Sequence, residues 1–230
     1  TFSDPIDSHV HFAFTAKSAG ERRHELERYL RRAGNLTSAG FRKWAAAQHV
    51  DITGMVADPR KLNALFERIV ALHKGAAGVC SFCEVVDQRT VWDGYADGHR
   101  GIALQFEPWR DPSAFLGYPM RYTDDPPVVT DWMTNRDHRR LLNVHLRKAP
   151  EYMHEREYRV FEPEHANVHR VYRPESLSGV VFGMRTAEPE RQEVLGLLDE
   201  RVKTTGDYPR LYQASLDGKT GRLKFLRYVR

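Results

Sequence analysis

At Gly75 the apolar pattern of this 230-residue chain changes period, and that switch limits the fold more than any motif does. Up to Gly75, apolar residues recur at helical spacing. Leu26, Tyr29 and Leu30 make the stripe of a helix over 21–32, which Gly34-Asn35 ends. Phe41, Trp44 and Ala45 mark a second helix over 38–48. Leu62, Leu65, Phe66, Ile69 and Leu72 mark a third, opened by Asp58-Pro59, a capping residue followed by proline at the first helical position. After Gly75 the apolar runs shorten to strand length. Runs at 77–82 and 101–106 flank a polar segment, 87–100, that reads as a short helix and a tight turn. Further strands are predicted at 120–123, 157–161, 168–172, 179–182, 211–215 and 222–229, with helices at 131–148 and 188–202. A helical layer followed by short strands predicts an α+β fold with a mixed or antiparallel central sheet. The expectation is one domain over 1–230 with a helical insertion at about 20–75.

No apolar run approaches the roughly 18 residues that cross a bilayer, and no charged-then-apolar signal opens the chain. A soluble, cytoplasmic protein with no membrane partner is expected. The two cysteines, Cys80 and Cys83, stand three apart in a predicted strand, facing opposite ways, so a disulfide between them is geometrically poor. A single Cys-x-x-Cys without a second pair is no zinc site, and His9-x-His11 has no partner placed by sequence, so no metal is assigned. Phosphate-loop, glycine-rich dinucleotide and Gly-x-Ser-x-Gly patterns are missing, which argues against ATPase, Rossmann dehydrogenase and hydrolase chemistry. The start on Thr1-Phe2-Ser3-Asp4, without methionine, predicts that an upstream segment is absent from this sequence.

The formal charge is +4 and the isoelectric point about 9.1. The excess gathers in two groups. One comprises Arg22, Arg23, Arg28, Arg31, Arg32, Arg42 and Lys43; the other comprises Lys219, Arg222, Lys224, Arg227 and Arg230. Basic faces of this kind suit a nucleic acid or a phosphorylated cofactor. For the first group a solvated helix face is the stronger reading, because Glu21, Glu25 and Glu27 offset many of its arginines.

Chemistry-bearing residues concentrate in two stretches. In the first, Trp92, Tyr95 and His99 fall at three- and four-residue spacing and can line one helical face as an aromatic wall. Such a wall suits a planar ligand such as nicotinamide or a nucleobase, and equally suits a plain core. The second runs from Lys148 through Tyr152, His154, Glu155, Glu157 and Arg159. If it is extended, Glu155, Glu157 and Arg159 share one side. Two carboxylates beside a guanidinium can separate an ionised acid from a protonated one, as acid/base or cation-stabilising chemistry requires. The plainer alternative is an ion-pair network in which Arg159 bridges both glutamates.

These stretches resemble the motifs of a widespread prokaryotic family of unknown function. Its elements are Phe-Asn-Asp-Pro-Phe-Asp/Glu, then Cys-Ser-Phe-Ser, Trp-x-x-Tyr-Ala-x-x-His-x-Gly, and a lysine followed after a gap by Trp-x-Tyr-Glu-x-Glu-x-Arg. Here they correspond to Phe2-Ser3-Asp4-Pro5-Ile6-Asp7, to Cys80-Ser81-Phe82-Cys83, to Trp92 through Gly101, and to Lys148, Tyr152, His154, Glu155, Glu157 and Arg159. Ser3, Cys83, Tyr152 and His154 depart from the family residues, and the family's N-terminal Tyr-Lys-Tyr-like strand is missing. The order of elements is also similar to the ADP-ribosyltransferase superfamily, including DarT-like toxins that modify DNA. That resemblance implies an ADP-ribosyltransferase-like fold and an NAD-using effector of a toxin or phage-defence system, acting on nucleic acid or protein and paired with an antitoxin or other partner protein. It implies Glu157 or Glu155 as the carboxylate that stabilises the ribose cation, oriented by Arg159. Tyr95 and His99 would pack on the cofactor, with Trp92 and Lys148 also in the binding set. Two other readings stay open: a non-enzymatic nucleic-acid or nucleotide-binding module, and a nuclease using Glu155, Glu157 and His99 around a divalent ion.

Overall fold

A computed structural model describes residues 11–13, 18–47, 51–125, 128–130, 145–162 and 166–229. The described residues fall into two compact units. One is drawn from Thr1–Ala77, Arg121–Pro150 and Pro163–Ala166, the other from Gly78–Met120, Glu151–Glu162 and Asn167–Arg230.

The first unit is mainly helical. Helix α1 (Ala19–Ala33) opens with a capping box in which Ser18 and Glu21 satisfy each other's backbone N–H groups, and it buries Leu26 completely. Helix α2 (Ser38–Ala47) buries Phe41 and Ala45. A short α3 (Ile52–Ala57), capped by Asp51, precedes α4 (Pro59–Ala76); α4 starts where Asp58-Pro59 predicted, and α3 was not anticipated. Six residues are too few to show a helical period, so only the cap could have marked α3. Two of the basic residues are tied down: the half-buried Arg22 donates to the carbonyl of Val56 at 3.0 Å, and the exposed Arg23 bonds Glu27 at 2.9 Å along the helix surface. Short parallel pairs join His11–Ala13 to Val128–Thr130 and Arg121–Tyr122 to Arg147–Lys148. Residues 131–144 of the expected 131–148 helix lie outside the described residues. At its end the expectation is corrected: Arg147–Lys148 is strand, tied by N–H groups of Arg121 and Thr123 to the carbonyls of Leu146 and Lys148. Ala149, which follows, precedes Pro150, a position biased toward extended backbone.

The second unit holds two sheets. The strands are β1 (Gly78–Cys83), β2 (Ile102–Phe106), β3 (Gly117–Pro119), β4 (Glu157–Glu162), β5 (Leu177–Phe182), β6 (Arg210–Leu216) and β7 (Leu223–Arg227). One sheet has the order β7-β6-β5-β2, the other β1-β4-β3. Only β5 and β6 run parallel; the remaining pairs are antiparallel. The α+β class with mixed and antiparallel sheets is what the period switch predicted. Three α-helices accompany the sheets: α5 (Arg89–Tyr95), α6 (Pro112–Phe115) and α7 (Glu188–Thr205).

The four-stranded sheet is covered on both faces, which explains its run of buried residues at Val180, Val181 and Phe182. On one face Leu195 and Leu198 of α7 pack on Val180, Phe182 and Leu211. On the other, Trp92 of α5 packs with Val181, Ala214 and Leu223. Gly183, just after β5, donates to the carbonyl of Gly101 at 3.1 Å. A Cβ there would run into the carbonyl oxygens of His99 and Gly101. Gly183→Ala is therefore expected to lose about 2 kcal/mol of folding stability. A urea midpoint equal to wild type would contradict that reading.

One strand expectation fails here and another is shortened. The predicted strand 168–172 has no ladder: Val168 and Val171 are 63% and 90% exposed, and the segment is anchored through Arg170 to the Ser113 carbonyl and through Arg173 to Asp111. A β-branched run becomes strand only where an edge is free to pair, and here only Tyr172 is drawn in, edge-on to Phe106. The predicted strand 120–123 is present in shortened form as Arg121–Tyr122, and a separate strand precedes it. Gly117–Pro119 pairs with β4, and Arg121–Tyr122 pairs in the first unit.

Candidate functional site

Within the second unit a cavity of about 870 Å³ is lined by residues of β1 and β2, which are edge strands of the two sheets. Its walls are mainly aromatic. Phe82, Phe106 and Phe115 meet with ring centroids 5.0–5.9 Å apart. Tyr158 lines it too, its ring fixed by a hydroxyl that accepts from the Gly117 N–H at 2.9 Å. Trp92 and Tyr95 contribute from α5, and Tyr212 and Phe225 from the other sheet. The polar lining includes Ser81, Cys83, Glu84 and Gln105; no lysine or arginine is among the described lining residues. An apolar concavity with a few polar groups is the usual form of a small-molecule site.

The expected aromatic wall of Trp92, Tyr95 and His99 is not one face. Helix α5 stops at Tyr95, and Asp97, Gly98 and His99 all take positive φ, 46°, 58° and 68°. This left-handed turn folds His99 back onto Trp92, with the rings stacked 5.7 Å apart and 3° from parallel. Trp92 is buried, and its indole N–H donates to the Val86 carbonyl at 2.7 Å. Tyr95 instead leaves this stack, 71% exposed, and donates its hydroxyl to Glu155 Oε1 at 3.1 Å.

His99 does not line the cavity. It is buried, its Nε2 lies 3.3 Å from Asp93 Oδ1, and its carbonyl accepts from the Arg185 N–H. Burial lowers its pKa from the ordinary 6.5; Arg185 and Arg89 add to that, while Asp93 opposes it. The unfolded chain takes up this proton near pH 6.5, whereas the folded protein resists until lower pH. Stability contributed by neutral His99 is thus complete above 6.5 and is lost as pH falls below it. His99→Gln should show a shallower loss than wild type in urea midpoints between about pH 7.5 and 5.5. Parallel losses would remove His99 as the cause.

The late glutamates do not share one side either. Pro150–Glu155 is a 3₁₀ helix, and Arg156 has φ 44°, so the chain turns between Glu155 and β4. Both carboxylates are buried, in different surroundings. Glu157 and Arg159 share a face of β4 and form a two-point pair, Nε to Oε1 at 2.6 Å and an Nη to Oε2 at 3.3 Å. Neither lines the cavity. Glu155 does not line the cavity either but meets its wall through the Tyr95 hydroxyl, and its carbonyl lies 2.7 Å from Cys83 Sγ. Glu84, in the wall, pairs with Arg156 at 3.0 Å. Desolvation raises the pKa of Cys83 and of Cys80, although both are exposed. Lys148 is buried in the first unit.

No family model, curated protein or solved structure matches this chain.

Among the described residues no group of three or more His, Cys, Asp and Glu side chains is placed to hold a metal ion, so Glu155, Glu157 and His99 do not converge as a nuclease would need. No helix of the described residues is long and apolar enough to cross a membrane. Sequence reasoning overlooked Phe82, Phe106, Phe115, Tyr158, Tyr212 and Phe225 as cavity residues. Their alternation marks a buried face, which cannot be told from a filled core before the two sheets are seen to part.

Proposed function

We propose that the second unit binds a planar nucleotide in its aromatic cavity and uses NAD in the manner of ADP-ribosyltransferases, as an effector of toxin or phage-defence type. The observation that carries this reading is the Tyr95–Glu155 hydrogen bond, which ties a buried carboxylate to the wall of an aromatic cavity. Loss of nicotinamide breaks the ribose C1′–N bond with the electron pair leaving on the ring, and positive charge grows on the ribose. A carboxylate held in place by a phenol stabilises that charge without reorganising. A nucleophilic atom of the acceptor, a nucleobase or a protein side chain, then bonds to C1′ and gives up its proton to solvent. Glu155 takes the carboxylate role in preference to Glu157 because it is the one tied to a cavity-lining side chain, Tyr95. The resemblance in motif order supplies the choice of NAD.

A second reading is a non-enzymatic nucleotide or nucleic-acid module. The commitment of Glu157 to Arg159 and the basic hairpin bearing Lys219, Arg222, Lys224 and Arg227 favour it. Calorimetric titration of NAD into the full chain, with an assay for released nicotinamide, separates the two. Binding with release is the expected result. Binding without release would leave the module, and no binding at millimolar NAD would overturn the NAD reading.

A further inference from the structure

A nucleotide in this cavity brings a phosphate whose charge the lining cannot meet. The described lining has Glu84 and no lysine or arginine. Of the cations nearby, Arg156 is committed to Glu84 at 3.0 Å. Arg227 is not committed: among the described residues its guanidinium has no ion pair or hydrogen bond, and it rests over the Tyr212 ring, 5.9 Å from the centroid.

Strand register explains why Arg227 stands there. In the β6–β7 hairpin Tyr212 is opposite Arg227 and Ala214 is opposite Phe225, and opposed residues share a face. Tyr212 and Phe225 line the cavity, so the face carrying Arg227 is the cavity face. Lys224 and Leu226 alternate to the other side. An arginine lying on an aromatic ring keeps its N–H donors along its edge, free for the oxygens of an anion.

We infer that Arg227 is a specificity-determining residue that binds the phosphate of the cavity's ligand, with Tyr212 holding the guanidinium at the cavity margin. This rests on the reading above, that the cavity takes a nucleotide. The ligand class it selects is a nucleoside phosphate over the bare nucleoside.

The test is calorimetric titration of the full chain with nicotinamide riboside and with nicotinamide mononucleotide, which differ by one phosphate. Wild type should bind the mononucleotide at least about tenfold more tightly, the usual worth of a charge-assisted hydrogen bond. Arg227→Gln should bring the mononucleotide down to the riboside's affinity and leave the riboside unchanged. Lys224→Gln, which removes the same charge from the other face, should keep the preference. Equal affinities in wild type, or a preference that survives Arg227→Gln, would overturn the role of Arg227 while leaving the cavity reading intact. If neither compound binds, the cavity reading itself falls, and this inference with it.

Discussion

Arg159→Ala is expected to destabilise the protein by about 3–5 kcal/mol, the largest loss anticipated for any single polar side chain here. The guanidinium is 2% exposed and holds both oxygens of Glu157. Removing it leaves a buried carboxylate without its main compensating charge. The cost comes from that stranded group more than from the worth of the pair. Replacing both partners, as in Glu157→Leu with Arg159→Met, should therefore recover most of the loss. Urea unfolding of the single and double variants measures this. A loss under about 1 kcal/mol for Arg159→Ala would show that the pair contributes little.

The largest effect on activity is expected from Glu155→Gln. Under the proposed reading it should lower NAD turnover about 100-fold or more, with little change in NAD affinity or in the thermal midpoint. Glutamine keeps the acceptor oxygen for the Tyr95 hydroxyl and removes the charge, so a role in holding the fold predicts no loss of turnover. Glu157→Gln should act mainly on stability, by weakening the pair with Arg159. Equal loss of turnover without destabilisation in Glu157→Gln would move the catalytic carboxylate to that residue.

Much of the secondary structure could be read from period and punctuation because those are local properties. Helix α1 follows from Leu26 and Leu30 on one stripe with Gly34 at its end, and β5 from the run Val180-Val181-Phe182. The expectations that failed depended on partners far along the chain. Val168–Tyr172 has strand composition and no edge to join, whereas Arg147–Lys148 has neither strand length nor pattern and pairs because Arg121–Tyr122 lies beside it.

The same division runs through the site. Tyr95, Glu155, Glu157 and Arg159 were identifiable by residue type and spacing, and so was the shared face of Glu157 and Arg159, but the place of Tyr95 and Glu155 was not. Backbone turns at His99 and Arg156, both with positive φ, redirected them. Such a turn at a residue other than glycine is sustained by surrounding contacts, here the Trp92 stack and the Arg185 N–H on His99, and by the Glu84 N–H on the Arg156 carbonyl. The sequence by itself determined the α+β class, the helix caps and the residue types available for chemistry, because propensity and period act over a few neighbours. Only the tertiary structure decided that Glu155 meets Tyr95 and that two sheet edges part around an aromatic cavity. Those outcomes depend on contacts between residues tens of positions apart, which no local pattern encodes.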